Sequence, residues 1–438
     1  MIAALLVAVQ ATGAAAGVGG ALESAAAVRA AADTIPTVSL SEALDAAAQV
    51  DPNYVQALRQ VGDAAWIRRS AWSAFLLPSI NFQWSLAKFD PASFNIGTND
   101  VTDKLSQFSL QASYDLFRGG AKFFGLSRAS AAIEGAEAGE LEARYQTALA
   151  TEAAYYDVIA QQQLLGVTEE RVRRAREQFQ IARARVLSGA AVQTDSLQLL
   201  LELTRAEVDL LRQSSSLTVA RLELGRRVGR AGPVDAAPLD TEDVPALPIS
   251  REQAIEDALR DNPSLLLARS QQRLANAAFK IERASYLPTV SLFGQWAGFD
   301  DDLVPDAFKR TTFGISLSYP LFDNGARELR VFRANTNRKV AEAAAADAER
   351  TTIRDITQAY EAFTTARAST QLAARAVTVA RENLRVQTER YRAGATTIID
   401  LITAQVDLAA AEAGLVQARQ ANRLALAGVE AILGRRLF

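Results

Sequence analysis

The chain of 438 residues has no cysteine, no histidine and no methionine after Met1. Without cysteine there are no disulfides, no thiolate ligands and no lipid-modified N-terminal cysteine. Without histidine there is no imidazole metal site, no Cys–His pair and no Ser–His–Asp triad. Charge of one sign is not in excess either. The 47 Lys and Arg against 50 Asp and Glu leave a formal −3, with no basic footprint for nucleic acid. No later stretch reads as a transmembrane helix: Ala71–Ala87 lacks charge but is broken by Pro78 and carries Asn81 and Gln83. Ser85-Leu86-Ala87-Lys88 fits a Ser-x-x-Lys pattern, yet it falls on a predicted strand with no supporting motif. No catalytic, metal or cofactor-binding residue is nominated, and an enzyme is not expected. Residues 1–32 are Ala/Gly-rich, with an apolar Ile2–Val9 and Ala-x-Ala sites behind it. They read as a signal peptide or a disordered N-terminal segment.

What the chain does contain is said twice, 205 to 211 residues apart. Ser39-Leu40-Ser41-Glu42 returns as Ser250-Arg251-Glu252-Gln253, and Asp51-Pro52 as Asn262-Pro263. Leu77-Pro78 returns as Leu287-Pro288, and Tyr114-Asp115-Leu116-Phe117 as Tyr319-Pro320-Leu321-Phe322. Gly189 with Asp195 returns as Gly394 with Asp400, and Leu224-Gly225-Arg226-Arg227 as Leu433-Gly434-Arg435-Arg436. An ordered duplication with no catalytic side chain in either copy points to a symmetric scaffold or conduit.

The first repeat spans 37–228 and the second 249–438, joined by a Pro/Ala/Asp-rich linker at 229–248. Ser39 with Glu42, and Ser250 with Gln253, have capping-box spacing. Asp51 and Asn262 precede a proline suited to the first helical position. Four period-two segments follow, at about 79–89, 105–117, 289–299 and 311–322. Such alternation matches strands between lipid and water; a half-buried soluble sheet would also alternate. Four strands cannot close a barrel, and an open edge in lipid is forbidden, so a membrane reading requires several chains to share one barrel. Long helices are expected over 121–187 and 326–391, each on the order of 100 Å. Gly189 and Gly394 stand where they would end. Returning helices are expected over 195–228 and 397–434. Leu203, Leu210, Leu217 and Leu224, then Leu408, Leu415, Asn422 and Val429, repeat every seven residues, the mark of a coiled-coil seam. The fold class is mainly α with a small β part: duplicated long coiled-coil helices plus four strands per chain.

From about residue 37 onward this arrangement resembles the TolC family of outer-membrane efflux and secretion channels. The resemblance is carried by Tyr114-Asp115-Leu116-Phe117-Arg118-Gly119-Gly120, by Tyr319-Pro320-Leu321-Phe322-Asp323-Asn324-Gly325, and by the run from Tyr391 to Leu401. It implies a homotrimer with a shared twelve-stranded transmembrane barrel in outer-membrane lipid and an α-helical tunnel across the periplasm. It implies, as partners, a periplasmic adaptor protein and an inner-membrane transporter, with small molecules or polypeptides as cargo.

The turns at Gly189 and Gly394 then become the periplasmic tip. Asp195, Tyr391 and Asp400 match the family's gate positions. Thr396 and Thr403 stand where the best-known members carry a basic residue and a second carboxylate, so Arg390 and Arg392 are the candidate replacement cations. Three Asp400 carboxylates around a threefold axis would focus negative potential and favour cations. The plain alternative for Asp195 and Asp400 is a helix N-terminal carboxylate. Ser188-Gly189-Ala190 and Ala393-Gly394-Ala395 match the family's adaptor-docking turns, although glycine there also serves simply to stop a helix. The competing function is a periplasmic coiled-coil adaptor or structural tether, with the strands forming a soluble sheet.

Overall fold

A computed structural model describes residues 35–95, 99–189, 191–239, 244–300 and 308–437. The expected signal segment and Ala190 lie outside the described residues. In chain order the elements of the first half are β1 (Thr37–Val38), α1 (Leu40–Val50), α2 (Pro52–Leu76), β2 (Ser79–Asn95), β3 (Asp100–Arg118), α3 (Ala121–Leu187) and α4 (Gln193–Arg227). The second half adds β4 (Asp235–Ala236), α5 (Arg251–Asp261), α6 (Pro263–Ala284), β5 (Thr289–Asp300), β6 (Phe308–Ser318), α7 (Ala326–Arg392) and α8 (Ile398–Leu433).

Local chemistry sets the helix starts. Ser39 and Ser250 each close a reciprocal capping box, with Glu42 and Gln253. The Asp51 carboxylate accepts the Asn53 and Tyr54 amides, and Asn262 accepts the Leu265 amide, each ahead of a helix-opening proline. Packing then follows a seven-residue period. Ile356, Phe363, Thr370, Val377, Leu384 and Tyr391 are all buried along α7. Leu401, Leu408, Asn422 and Val429 are buried along α8, and Leu203, Leu217 and Leu224 along α4. Leu210 and Leu415 are only partly covered, at the edges of their clusters. A strict seven-residue seam on both members of a helix pair produces a coiled coil.

The returning helices are half the length of the long ones, so α1, α2, α5 and α6 complete the second layer. α2 meets the end of α4, where Arg227 approaches the Asp51 carboxylate at 3.9 Å. α6 meets the end of α8, where the Asn262 side-chain amide donates to the Ile432 carbonyl at 2.8 Å. α3 packs against α2, α4, α6 and α8, while α7 packs against α6 and α8. The order across the protomer is therefore α2, α3, α6, α7 near the strands and α4, α3, α8, α7 near the turns.

The strands repeat that order, β2-β3-β5-β6, all antiparallel. Ile80, Phe82, Trp84, Leu110, Leu292, Trp296, Phe313, Ile315 and Leu317 share one apolar face and are exposed. Ser79, Asn81, Gln83, Gln107, Ser109, Gln111, Ser316 and Ser318 occupy the other. Aromatic rings cover Gly294 and Gly314: a Cβ on Gly314 would come within 2.6 Å of the Phe293 ring, so a larger residue there requires that ring to shift.

Two details differ from the sequence expectation. The polar stretch 90–103 lies outside the expected strands at 79–89 and 105–117, yet β2 and β3 extend into it from both sides, with Ser93 opposite Thr102 and Phe94 opposite Val101. Its polar residues carry no period-two signal, and a bulge between Lys88 and Ser93 takes up Pro91, which has no amide to give. The alternation of β3 also breaks at Leu116. A bulge between Asp115 and Phe117 places Phe117 opposite Val290.

Gly225 allows the α4 end to turn closely. A Cβ there would collide with the Gly232 carbonyl oxygen. Gly225→Ala is expected to cost about 1–3 kcal/mol, read as a lowered helical melting temperature in detergent; an unchanged melt would show that this turn yields freely.

Candidate functional site

The helical turns bring most of the nominated residues together at one end. α7 ends in paired hydrogen bonds: the Gly394 amide donates to the Tyr391 carbonyl at 3.1 Å, and the Ala395 amide to the Arg390 carbonyl at 2.8 Å. This double closure requires a left-handed residue, and Gly394 supplies φ +73°. The α3 end is alike, with Gly189 at φ +76° and its amide on the Val186 carbonyl at 3.0 Å. The Ser188 hydroxyl donates to the Arg185 carbonyl at 3.0 Å. A Cβ on either glycine would meet nothing within 4 Å, so the turns present an open small-residue surface.

Asp400 is a cap. Its Oδ2 accepts from the Thr397 hydroxyl at 2.6 Å, the Thr396 hydroxyl at 2.9 Å and the Thr397 amide at 3.1 Å. These bonds, the Thr397 hydroxyl first, hold its carboxyl below the usual aspartate value, with a smaller contribution from the Arg390 charge. The carboxylate remains exposed. Thr396, at the position where the best-known members carry a basic residue, is thus a hydrogen-bond donor to Asp400. Neither nominated arginine forms an ion pair with Asp400: Arg392 pairs with Glu389 at 3.0 Å on its own helix, and Arg390 donates to the Ala395 carbonyl at 3.3 Å.

Tyr391 is buried in a cluster with Leu199, Ile398 and Leu401. Its hydroxyl is enclosed without a hydrogen-bond partner among the described residues. Burial, then the negative charge of Asp195, pushes its phenol up from the ordinary tyrosine value. Asp195 is half-buried in the first turn of α4.

Sequence reading missed Arg185. From α3 its Nη1 donates to the Tyr391 carbonyl at 2.8 Å, and its guanidinium sits 5.0 Å from the centre of the Tyr391 ring. It clips the first coiled coil to the second. The signal was available, because Arg185 stands four residues before Gly189 as Arg390 stands four before Gly394.

Comparison with known proteins places this architecture. The outer membrane efflux protein family profile matches residues 43–230 and 254–435, most of the chain and both repeats. The chain belongs to the outer membrane efflux protein family. Protein CyaE of Bordetella pertussis is 28% identical over 184 residues, covering 42% of this chain and 39% of that protein. Nodulation protein T of Rhizobium leguminosarum bv. trifolii is 24% identical over 274 residues, covering 61% and 58%. The chain thus spans less than two thirds of the length of these relatives. The CmeC outer membrane channel of Campylobacter jejuni has the same fold, with a TM-score of 0.77 at 17% identity over 90% of this chain and 85% of that one.

As a member of this family the protein resides in the outer membrane and extends into the periplasm, and the family's fold is that of a channel. Among the described residues no helix is long and apolar enough to cross a membrane.

The raised phenol of Tyr391 gives a signed expectation. A group with a higher folded than unfolded pKa stabilises the fold fully below the unfolded value, about 10 for tyrosine, and loses that contribution as pH rises through the folded one. Melting curves across that range should show the native chain losing stability relative to Tyr391→Phe. Parallel curves would show that Tyr391 ionises freely.

Proposed function

We propose that the protein is the passive outer-membrane duct of a tripartite efflux or type I secretion system, working as a homotrimer. The observation that carries this reading is the inequality of its two flanks. One is formed by β2, α2 and α4, the other by β6 and α7. Each carries a strand edge without a partner in the described sheet. Trp66, Trp72 and Leu76 are exposed on α2 of the first flank, and Leu329, Phe332 and Val340 on α7 of the second. Two unlike surfaces that must both be covered associate head to tail and close into a ring. Three copies give the family's twelve-stranded barrel. A periplasmic adaptor or tether would have no use for a sheet with one apolar face and two bare edges.

In this reading small molecules or polypeptides arrive from an inner-membrane transporter through an adaptor seated on Ser188, Gly189, Ala190, Ala393, Gly394 and Ala395. Asp400, Asp195 and Tyr391 form the gate. Asp400 serves as cap and ring together, since its cap bonds use one oxygen and leave the carboxylate charged and exposed. Arg390 contributes at the tip, whereas Arg392 is engaged by Glu389.

The native mass in detergent, taken from isolated outer membranes, is expected to be that of a trimer; a monomer would remove the shared barrel. Asp400→Ala should lower cation selectivity and relieve block by multivalent cations in planar bilayers, and unchanged values would take Asp400 out of the ring. Gly394→Trp should abolish efflux while trimers persist. Gly394→Ala imposes the same backbone strain with little bulk and should retain most of it. Normal efflux by the tryptophan variant would defeat docking at this turn.

A further inference from the structure

The two halves are related at the tip by a shift of 205 residues, Gly189 to Gly394. Applied to the packing, that shift identifies a contact that one chain cannot make. This inference rests on the trimeric reading above.

Within the protomer α8 packs on α3. Glu412 meets Arg174 at 3.5 Å, and Val416 is 7% exposed. Moving each helix to its counterpart in the other half turns α8 into α4 and α3 into α7. Val416 becomes Leu211, which is 69% exposed, and Arg174 becomes Val379, which is 70% exposed. The face buried once inside the protomer therefore recurs as two bare faces, on opposite flanks where they cannot meet within one chain. Their heights agree. Leu197 and Leu211 lie 8 and 22 residues after Gly189, and Val386 and Leu372 lie 8 and 22 residues before Gly394; all four are exposed. Apolar side chains at heptad spacing on both surfaces are what a coiled-coil contact needs. The occupant of α4 is α7 of a second copy of this chain.

The same shift carries the tip clip. Arg185 becomes Arg390, and Tyr391, whose carbonyl Arg185 engages, becomes Val186. The Val186 carbonyl accepts the Gly189 amide at 3.0 Å, just as the Tyr391 carbonyl accepts the Gly394 amide at 3.1 Å. A carbonyl oxygen has a second lone pair, and Arg185 uses that of Tyr391. Arg390 is exposed, with a 3.3 Å bond to the Ala395 carbonyl of its own turn. We infer that Arg390 fastens adjacent protomers at the closed tip by donating to the Val186 carbonyl of the neighbouring chain, as Arg185 fastens the two halves of one chain. Val186 offers no ring to stack on, so the seam between protomers is the weaker of the two and parts first when the tip opens.

The chain has no native cysteine, so single thiols can be placed cleanly. Full-length Arg390→Cys and Val186→Cys chains are co-expressed, and outer membranes are treated with a short bis-maleimide. The expected product is a covalent dimer on denaturing gels that neither variant gives alone. Monomer bands only, from a sample whose native mass is trimeric, would overturn the Arg390 contact and leave the duct reading standing. A native mass other than a trimer would overturn both. In planar bilayers Arg390→Ala should raise resting conductance several-fold, and Arg390→Lys, which keeps a charged donor, should stay near the native value. Equal conductance of Arg390→Ala and the native protein would likewise overturn it.

Discussion

A strand edge in hydrocarbon has no water to hydrogen-bond its amides, and each one left bare costs several kcal/mol. In the proposed duct the outer edges of β2 and β6 are in that position. The rest of the architecture follows from closing them. Strand order fixes helix order, because each strand runs directly into a helix or out of one. The unpaired edges are thereby continued downward by α2 with α4 on one side and by α7 on the other. Covering the strand edges and covering the helix faces is one problem, and the proposed head-to-tail ring of copies answers both.

Duplication makes that answer economical. The contact of α8 on α3 inside a protomer has the same design as the proposed contact of α4 on a neighbour's α7. Around the proposed ring the assembly then approximates six similar half-units. The halves differ at the turns. Tyr391 is a buried aromatic in the second half, and Val186 stands in its place in the first. Thr397 and Asp400 form a full capping box on α8, while the N-cap residue of α4, Val192, makes no side-chain cap bond. The tip is therefore held unevenly, and an uneven closure can open along a chosen seam.

Much of the fold class was legible in the residues themselves. Period-two runs became the four strands, with Phe82, Trp84 and Ile315 on one face. Seven-residue runs became the coiled coils. Asp400 was legible as an N-terminal carboxylate, and its threonine partners stand beside it in sequence. Arg185 was overlooked because its partner lies 206 positions away, and nothing local marks an arginine near a helix end as more than a charge suited to the dipole. The bulge at Leu116 was overlooked because a single extra residue leaves the apolar pattern intact on both sides.

Helix starts and stops, strand faces and the coiled-coil period are all readable from the chain, since capping, backbone conformation and side-chain direction depend on residues a few positions apart. Which helix lies beside which, and which faces stay bare, depends on strand order and on the end-to-end joining of α2 with α4 and α6 with α8. Those are long-range choices among faces of similar apolarity. Leu211 and Val416 stand at matching positions in the two halves, yet one is exposed and the other buried. Only the folded arrangement, in which α3 is already beside α8, makes them different.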